Sequence, residues 1–279
     1  MSMDKASKHG IRTIVNKAER SRRNGSGEQK QSEMVGYEVL AQIPSLISRR
    51  REQTSGKKAA ELVRDELLMT WLVVLPWKIR NLVQCKLAPK SHGGNLFKSE
   101  LIASLKRLPK PYWVEDALEA NSKQEFWQFY FRPEENQSGK IIGGTIPRNL
   151  IPILEYYVQS GRPALVNGAD PGTLFLSESG GPLARSKIRS LIHRITRCSV
   201  GRTVNPHLFR RVFTWKWLEH NPSDFNGLRT VLWHSYPRTM PVSHTPCKPK
   251  QDESYISIKP NKRERGKTSL GLPKIRVGR

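Results

Sequence analysis

The chain has 279 residues and carries 48 Lys or Arg against 24 Asp or Glu, a net charge of +24. A field of that sign favours a polyanionic partner, usually nucleic acid, with an anionic membrane surface second. Membrane spanning is excluded: the longest apolar stretch, Leu67 to Trp77, is about half of the roughly 20 residues that a spanning helix needs.

The amino terminus MSMDKASKHG has no apolar segment of the kind a secretory signal carries. Residues 1–58 hold 13 basic and 6 acidic residues and residues 241–279 hold 10 and 3, so each end is +7 and the middle keeps +10. Residues 1–58 read as a basic, largely disordered arm. Within it, 36–56 have apolar residues near helical spacing, interrupted by Pro44. This reads as a remnant of a helical domain, too short to hold a core alone. From Lys57, AAELVRDELLMTWLVVL predicts a long helix, apolar nearly all round and therefore buried. Pro76 ends or kinks it, and WKIRNLVQCKL resumes a helical stripe through Ile79, Leu82, Val83 and Leu87. EFWQFYF and IIGGTIP predict a β-hairpin over 125–147, turned by ENQSGK. A helix is expected from after Pro147 to Gly161, then a short strand TLFL, a Gly-Gly turn and an amphipathic basic helix reaching Cys198. Asn205 is a good N-cap and Pro206 suits a first helical position. SDFNGLRTVLWHS predicts a last helix capped by Ser223 or Asp224. Periodicity stops after His234, and residues 241–279, with five prolines and many Lys and Arg, are expected to be disordered. The fold class is mainly α with a small antiparallel sheet. Cys85, Cys198 and Cys247 show neither pairing nor metal spacing, which fits a reducing cytosol and calls for no metal or other cofactor.

The segment HLFR puts His207 and Arg210 three residues apart, on one face at the start of a helix. Free backbone N–H groups there, with a His and an Arg, make a phosphate site. HxxR alone also occurs on ordinary basic helices. Likewise Arg80 reads as a solvated helix residue, Lys140 as a turn lysine and His234 as a satisfied core histidine when each is taken singly.

In this order and spacing the pieces resemble the catalytic domain of the tyrosine recombinases, the phage-integrase family. VRDELLMTWLVVLPWKIRNLVQCKL is similar to the family's first box, with Arg80 at its arginine and Leu87 seven residues on. NPHLFRRVFTWKWLEHNPSDFNGLRTVLWHS is similar to the second, with His207, Arg210 and His234. The likeness runs over residues 59–240. It implies a catalytic domain that acts on double-stranded DNA without metal or ATP, in site-specific recombination or integration of a mobile element. In that chemistry a tyrosine attacks the scissile phosphate to give a 3′-phosphotyrosine, and two arginines, here Arg80 and Arg210, clamp the phosphoryl oxygens. A lysine protonates the departing 5′-oxygen. Lys140 is the candidate; a different register puts Gln137 at that position. His207 and His234 would bond the phosphate or assist proton transfer. The resemblance further implies a tetramer on two DNA sites, no membrane, and a bacterial cytoplasm with nucleoid association.

Several positions depart from the family pattern. Arg211 stands where the family often has His, and Trp233 replaces the usual Gly. The tyrosine expected nine or ten residues after His234 is replaced by Ser243 and His244; Tyr236 is too close and Tyr255 lies 21 residues on. Altered reading frame near residue 240 and true divergence both account for that tail. Most of the family's amino-terminal DNA-clamping domain is missing from the likeness. Strand exchange is therefore expected to be impaired. A non-catalytic DNA-binding remnant of a recombinase is the alternative. A third reading, an RNA-binding protein, needs WQFYF at 127–131 as a stacking platform.

Overall fold

The computed structural model describes residues 35–102, 105, 124–136, 139–222 and 224–232. The expectations for residues 1–34, Gln137, Ser223, His234, Tyr236, Tyr255 and the tail 241–279 lie outside the described residues.

Helices dominate, with one small antiparallel sheet, as the sequence predicts. The first elements are α1 (Tyr37–Ala41) and α2 (Ile43–Glu52), in a stretch expected to belong to the basic arm. Leu40, Ile43 and Ile47 are instead buried in the main core with α3 (Gly56–Val74). Pro44 is tolerated because it stands in the first turn of α2, where its missing N–H loses no helical partner. The run Arg49–Arg50–Arg51 divides: Arg49 and Arg50 are exposed, whereas Arg51 donates to Glu66 at 3.0 Å and lies over the Tyr156 ring. A boundary at residue 58 thus cuts through one packed unit.

As its all-round apolar pattern requires, α3 is buried along most of its length, including Leu67, Leu68, Met69, Trp71 and Leu72. It also buries a charge pair. Arg64 donates to Asp65 Oδ1 at 2.9 and 2.7 Å and to the Leu176 carbonyl at 3.1 Å. Burial raises the Asp65 carboxyl while the Arg64 guanidinium opposes that rise. The helix stops before Pro76, and α4 (Ile79–Gln84) resumes the stripe only briefly. Leu87 leaves it, donating its N–H to Gly172 O at 2.8 Å, because the chain turns there to bridge Lys86 with Thr173.

The expected hairpin is present as β2 (Glu125–Phe131) and β3 (Ile142–Thr145). A third strand, β1 (Leu96–Glu100), pairs antiparallel with β2, setting Leu96 opposite Phe129. LFKSE is too short and too polar after its first two residues to advertise a strand. Side chains alternate across β2. Phe129 and Phe131 stack edge-on against Trp77, while Tyr130 packs with Phe97 and Leu105. The aromatic run is core on both faces, so it does not form the platform that the RNA reading needs.

The helix expected to end at Gly161 continues: α5 (Ile151–Tyr156), a π turn (Tyr157–Gly161) and α6 (Arg162–Leu165) are contiguous. Pro163 supplies no N–H, and the widened turn before it absorbs that irregularity. Gly161 admits close packing on α3; a Cβ there would lie 3.1 Å from Val63 Cγ1. TLFL forms isolated bridges rather than a strand. The basic helix follows as α7 (Arg185–Val200), ended by Gly201 in the left-handed region at φ 73°. The last elements are α8 (Pro206–His220) and α9 (Phe225–Leu232). Asp224 caps α9, accepting from Gly227 N at 2.8 Å. Trp215 and Trp217 are both half-buried.

Candidate functional site

Asn205 starts α8 as predicted, its side-chain oxygen accepting from His207 N at 3.0 Å. Phe209 and Val212 face the core, and this fixes which way the next positions project. Arg210 crosses from α8 to two other elements: Nη1 donates to Pro76 O at 2.5 Å and Nη2 to Leu232 O at 2.7 Å. One side chain therefore joins the HxxR helix, the α3–α4 connection and the end of α9. Burial lowers Arg210 to about 10, so it remains a cation at neutral pH.

The α3–α4 connection is fixed by Trp77. Its ring is buried, with centroids 4.8 Å from Trp71, 4.9 Å from Phe129 and 5.4 Å from Phe131. Lys78 follows directly and is half-buried, its carbonyl accepting from Asn81 N at 2.8 Å. Arg80 stands on the first turn of α4, half-exposed, with Nε 3.4 Å from Gln84 Oε1. Lys78 reports what surrounds it. Burial lowers its pKa, and the positive charges of Arg210 and Arg80 lower it further. Three cations from two separate sequence boxes thus meet at one place.

Sequence reasoning brought Arg80 and Arg210 to this place but passed over Lys78. The available signal was a second cation, two residues before Arg80 and directly after the helix-breaking LPW. His207 is exposed, one turn before Arg210 on the same helix. Lys140 is exposed on the β2–β3 connection, where Asn136 Nδ2 donates to the carbonyls of Arg132 and Lys140 at 2.7 and 2.8 Å. That hairpin grows from the strand whose Phe129 and Phe131 hold Trp77, so Lys140 and Arg80 are carried by elements sharing one aromatic contact.

The described tyrosines are engaged elsewhere. Tyr157 is buried, its hydroxyl accepting from Leu176 N at 3.4 Å, and burial pushes it up to about 12. Tyr156 underlies Arg51, and Tyr130 underlies Lys90 at 4.0 Å. Tyr37 packs on the main core. Among the described residues no cluster of His, Cys, Asp or Glu is placed to hold a metal ion.

On another surface, α7 buries Ile188, Leu191, Ile192 and Ile195 and exposes Arg185, Lys187, Arg189, Arg194 and Arg197. It contains no acidic residue. Asp65 Oδ2 approaches Arg194 at 3.8 Å.

No family model matches the chain. Among curated proteins it is similar to tyrosine recombinase XerD of Staphylococcus saprophyticus, 29% identical over 104 residues, 34% of this chain and 35% of that protein. It is also similar to tyrosine recombinase XerC of Halalkalibacterium halodurans, 29% identical over 86 residues, 29% of this chain and 28% of that protein. The matches thus span about a third of the length of these relatives. Among solved structures, XerA recombinase aligns with a TM-score of 0.47 at 14% identity, covering 73% of this chain and 56% of that one. XerH site-specific recombinase, solved bound to its difH substrate, aligns with a TM-score of 0.42 at 14% identity, covering 73% and 47%.

Proposed function

We propose that this chain, a relative of the tyrosine recombinases, binds duplex DNA and holds a backbone phosphate between Arg80 and Arg210. The observation that carries this reading is that Arg210 of the HxxR helix is anchored on Pro76 O, in the connection that carries Lys78 and Arg80. A buried or half-buried cluster of like charges is costly without a counter-anion. A phosphodiester supplies one, and arginine matches its geometry in bidentate fashion. The exposed cations of α7 add a second surface suited to the backbone of a duplex.

The finer reading is a site-specific recombinase or integrase-like protein of a mobile element, acting in a bacterial cytoplasm on the nucleoid and assembling as a tetramer on two sites. In its complete reaction a tyrosine oxygen bonds to phosphorus and the P–O5′ bond breaks. The tyrosine hydroxyl gives its proton to a base, the 5′-oxygen takes one from a lysine, for which Lys140 is the candidate, and His207 and His234 bond the phosphate or assist that proton transfer. This chain is impaired in that reaction. Its described tyrosines are committed to packing, and the position where the family carries its nucleophile holds Ser243 and His244. Binding without cleavage is the resulting activity.

The test is incubation with a nicked suicide duplex that traps a phosphotyrosine. DNA retention without a covalent adduct is expected. An adduct that disappears in Tyr255→Phe would overturn the impairment.

A further inference from the structure

Two side chains of α8 grip the two ends of α9. Trp217 Nε1 donates to the carbonyl of Asp224, the residue that caps α9, at 3.2 Å. Arg210 Nη2 donates to the carbonyl of Leu232, the last residue of α9, at 2.7 Å. Arg210 and Trp217 stand seven residues apart on α8, which places them on one face, two turns or about 10 Å from each other. The 8 residues of α9 rise about 12 Å, so the spacing on one helix matches the length of the other. Between the two grips, Leu228 and Val231 bury their side chains.

The grip at Arg210 reaches a third element. Nη1 of the same guanidinium donates to Pro76 O at 2.5 Å, beside the enclosed Trp77 ring. One planar cation therefore holds the end of α9 and the α3–α4 connection at fixed positions about itself. Both acceptors are main-chain carbonyls. The last carbonyls of a helix lack helical partners and form the negative end of its dipole, so a cation is favoured there. A carbonyl orients a guanidinium without cancelling its unit charge, whereas Arg51, Arg64 and Arg162 are held by carboxylates. Arg210 is half-buried, and this costs the cation part of its hydration. Opening the end of α9 would return the guanidinium to water. An anion bound to the closed form opposes that opening, because it satisfies the charge in place.

We propose that Arg210 couples the anion site to the end of α9: an anion on its guanidinium and the closed α9 terminus stabilise each other. This rests on the reading of Arg210 as a phosphate ligand, and the coupling is carried by its two carbonyl contacts. The anion binds the closed state better than the open one, so occupancy shifts the α9 terminus toward closed. By reciprocity, a loosened α9 terminus weakens anion binding. α9 is thereby the element that registers whether the site is filled.

The test is backbone amide hydrogen exchange in the full-length protein without ligand, with inorganic phosphate and with duplex DNA, at matched ionic strength. Melting temperature and filter retention establish whether each ligand is bound. In the wild type, bound phosphate or bound duplex should slow exchange of the α9 amides by about tenfold and leave those of the edge strand β1 unchanged. Arg210→Lys keeps the charge but offers one nitrogen in place of a fork. Without ligand its α9 amides should exchange about tenfold faster than in the wild type, and bound duplex should no longer slow them. Trp217→Phe removes the other grip and leaves Arg210 intact. Its α9 amides should also exchange faster without ligand, yet bound duplex should still slow them. Unchanged α9 exchange in a wild type that has bound duplex or phosphate overturns the proposal. So does an equal slowing in duplex-bound Arg210→Lys, which would route the effect around Arg210. Slowing by phosphate in a protein that does not retain duplex keeps the coupling and sinks the DNA reading instead. Binding of neither ligand overturns both.

Discussion

Trp77 determines where the cations of the site stand. Its ring is enclosed by Trp71 from α3 and by Phe129 and Phe131 from β2, and the next three residues include Lys78 and Arg80. Trp77→Ala opens a cavity at the junction of helix and sheet and should cost about 3–5 kcal/mol of unfolding free energy. Chemical denaturation would read this as a lower midpoint; a loss below about 1 kcal/mol would mean that the junction repacks and that Trp77 does not position the site. At this scale the sequence was partly legible. Arg80 and Arg210 stood out because each lies in a box of recognisable spacing. Lys78 did not, because what distinguishes it is burial beside Arg210, a residue 132 positions away. Such a neighbour is supplied by packing and leaves no mark in local pattern. The same holds for Arg51, which reads as a member of a charge run until Glu66 and Tyr156 are seen beside it.

Among the elements, long helices were the most legible. α3 and α8 follow their apolar periods and end at Val74, just before Pro76, and at His220, since a run of fifteen or more residues gives the pattern time to declare itself. Short pieces were not. β1 owes its existence to its pairing with β2, and α5 runs on through a π turn whose last residue, Gly161, packs closely on α3. α7 was legible in both its apolar stripe and its basic face, and its function can be tested apart from its packing. Arg185, Lys187 and Arg189 are exposed, so the double reversal Lys187→Glu with Arg189→Glu should leave the melting temperature within about 2 °C of wild type. Electrophoretic mobility shift should nevertheless show duplex affinity falling by at least tenfold, with a shallower salt dependence. Unchanged affinity would remove α7 from the DNA surface.

On the scale of the whole molecule, the charge of +24 pointed only to a polyanion. The fold divides that charge by role. Arg51, Arg64 and Arg162 are consumed by internal ion pairs, the α7 cations face solvent, and Lys78, Arg80 and Arg210 gather where two boxes of sequence meet. The packed unit includes residues before 58, because Leu40, Ile43 and Ile47 complete the core around α3. The central claim is that the gathered cations form a DNA phosphate site, and Arg80 tests it most directly. It is half-exposed and, among the described residues, holds a long contact to Gln84, so Arg80→Ala can be made without disturbing the anchors of Arg210. The decisive measurement is the duplex DNA dissociation constant of wild type and Arg80→Ala across a salt series. The account predicts an unchanged melting temperature, affinity weaker by about tenfold or more and a salt slope smaller by about 0.9. Equal affinity and equal slope in the two proteins would contradict it.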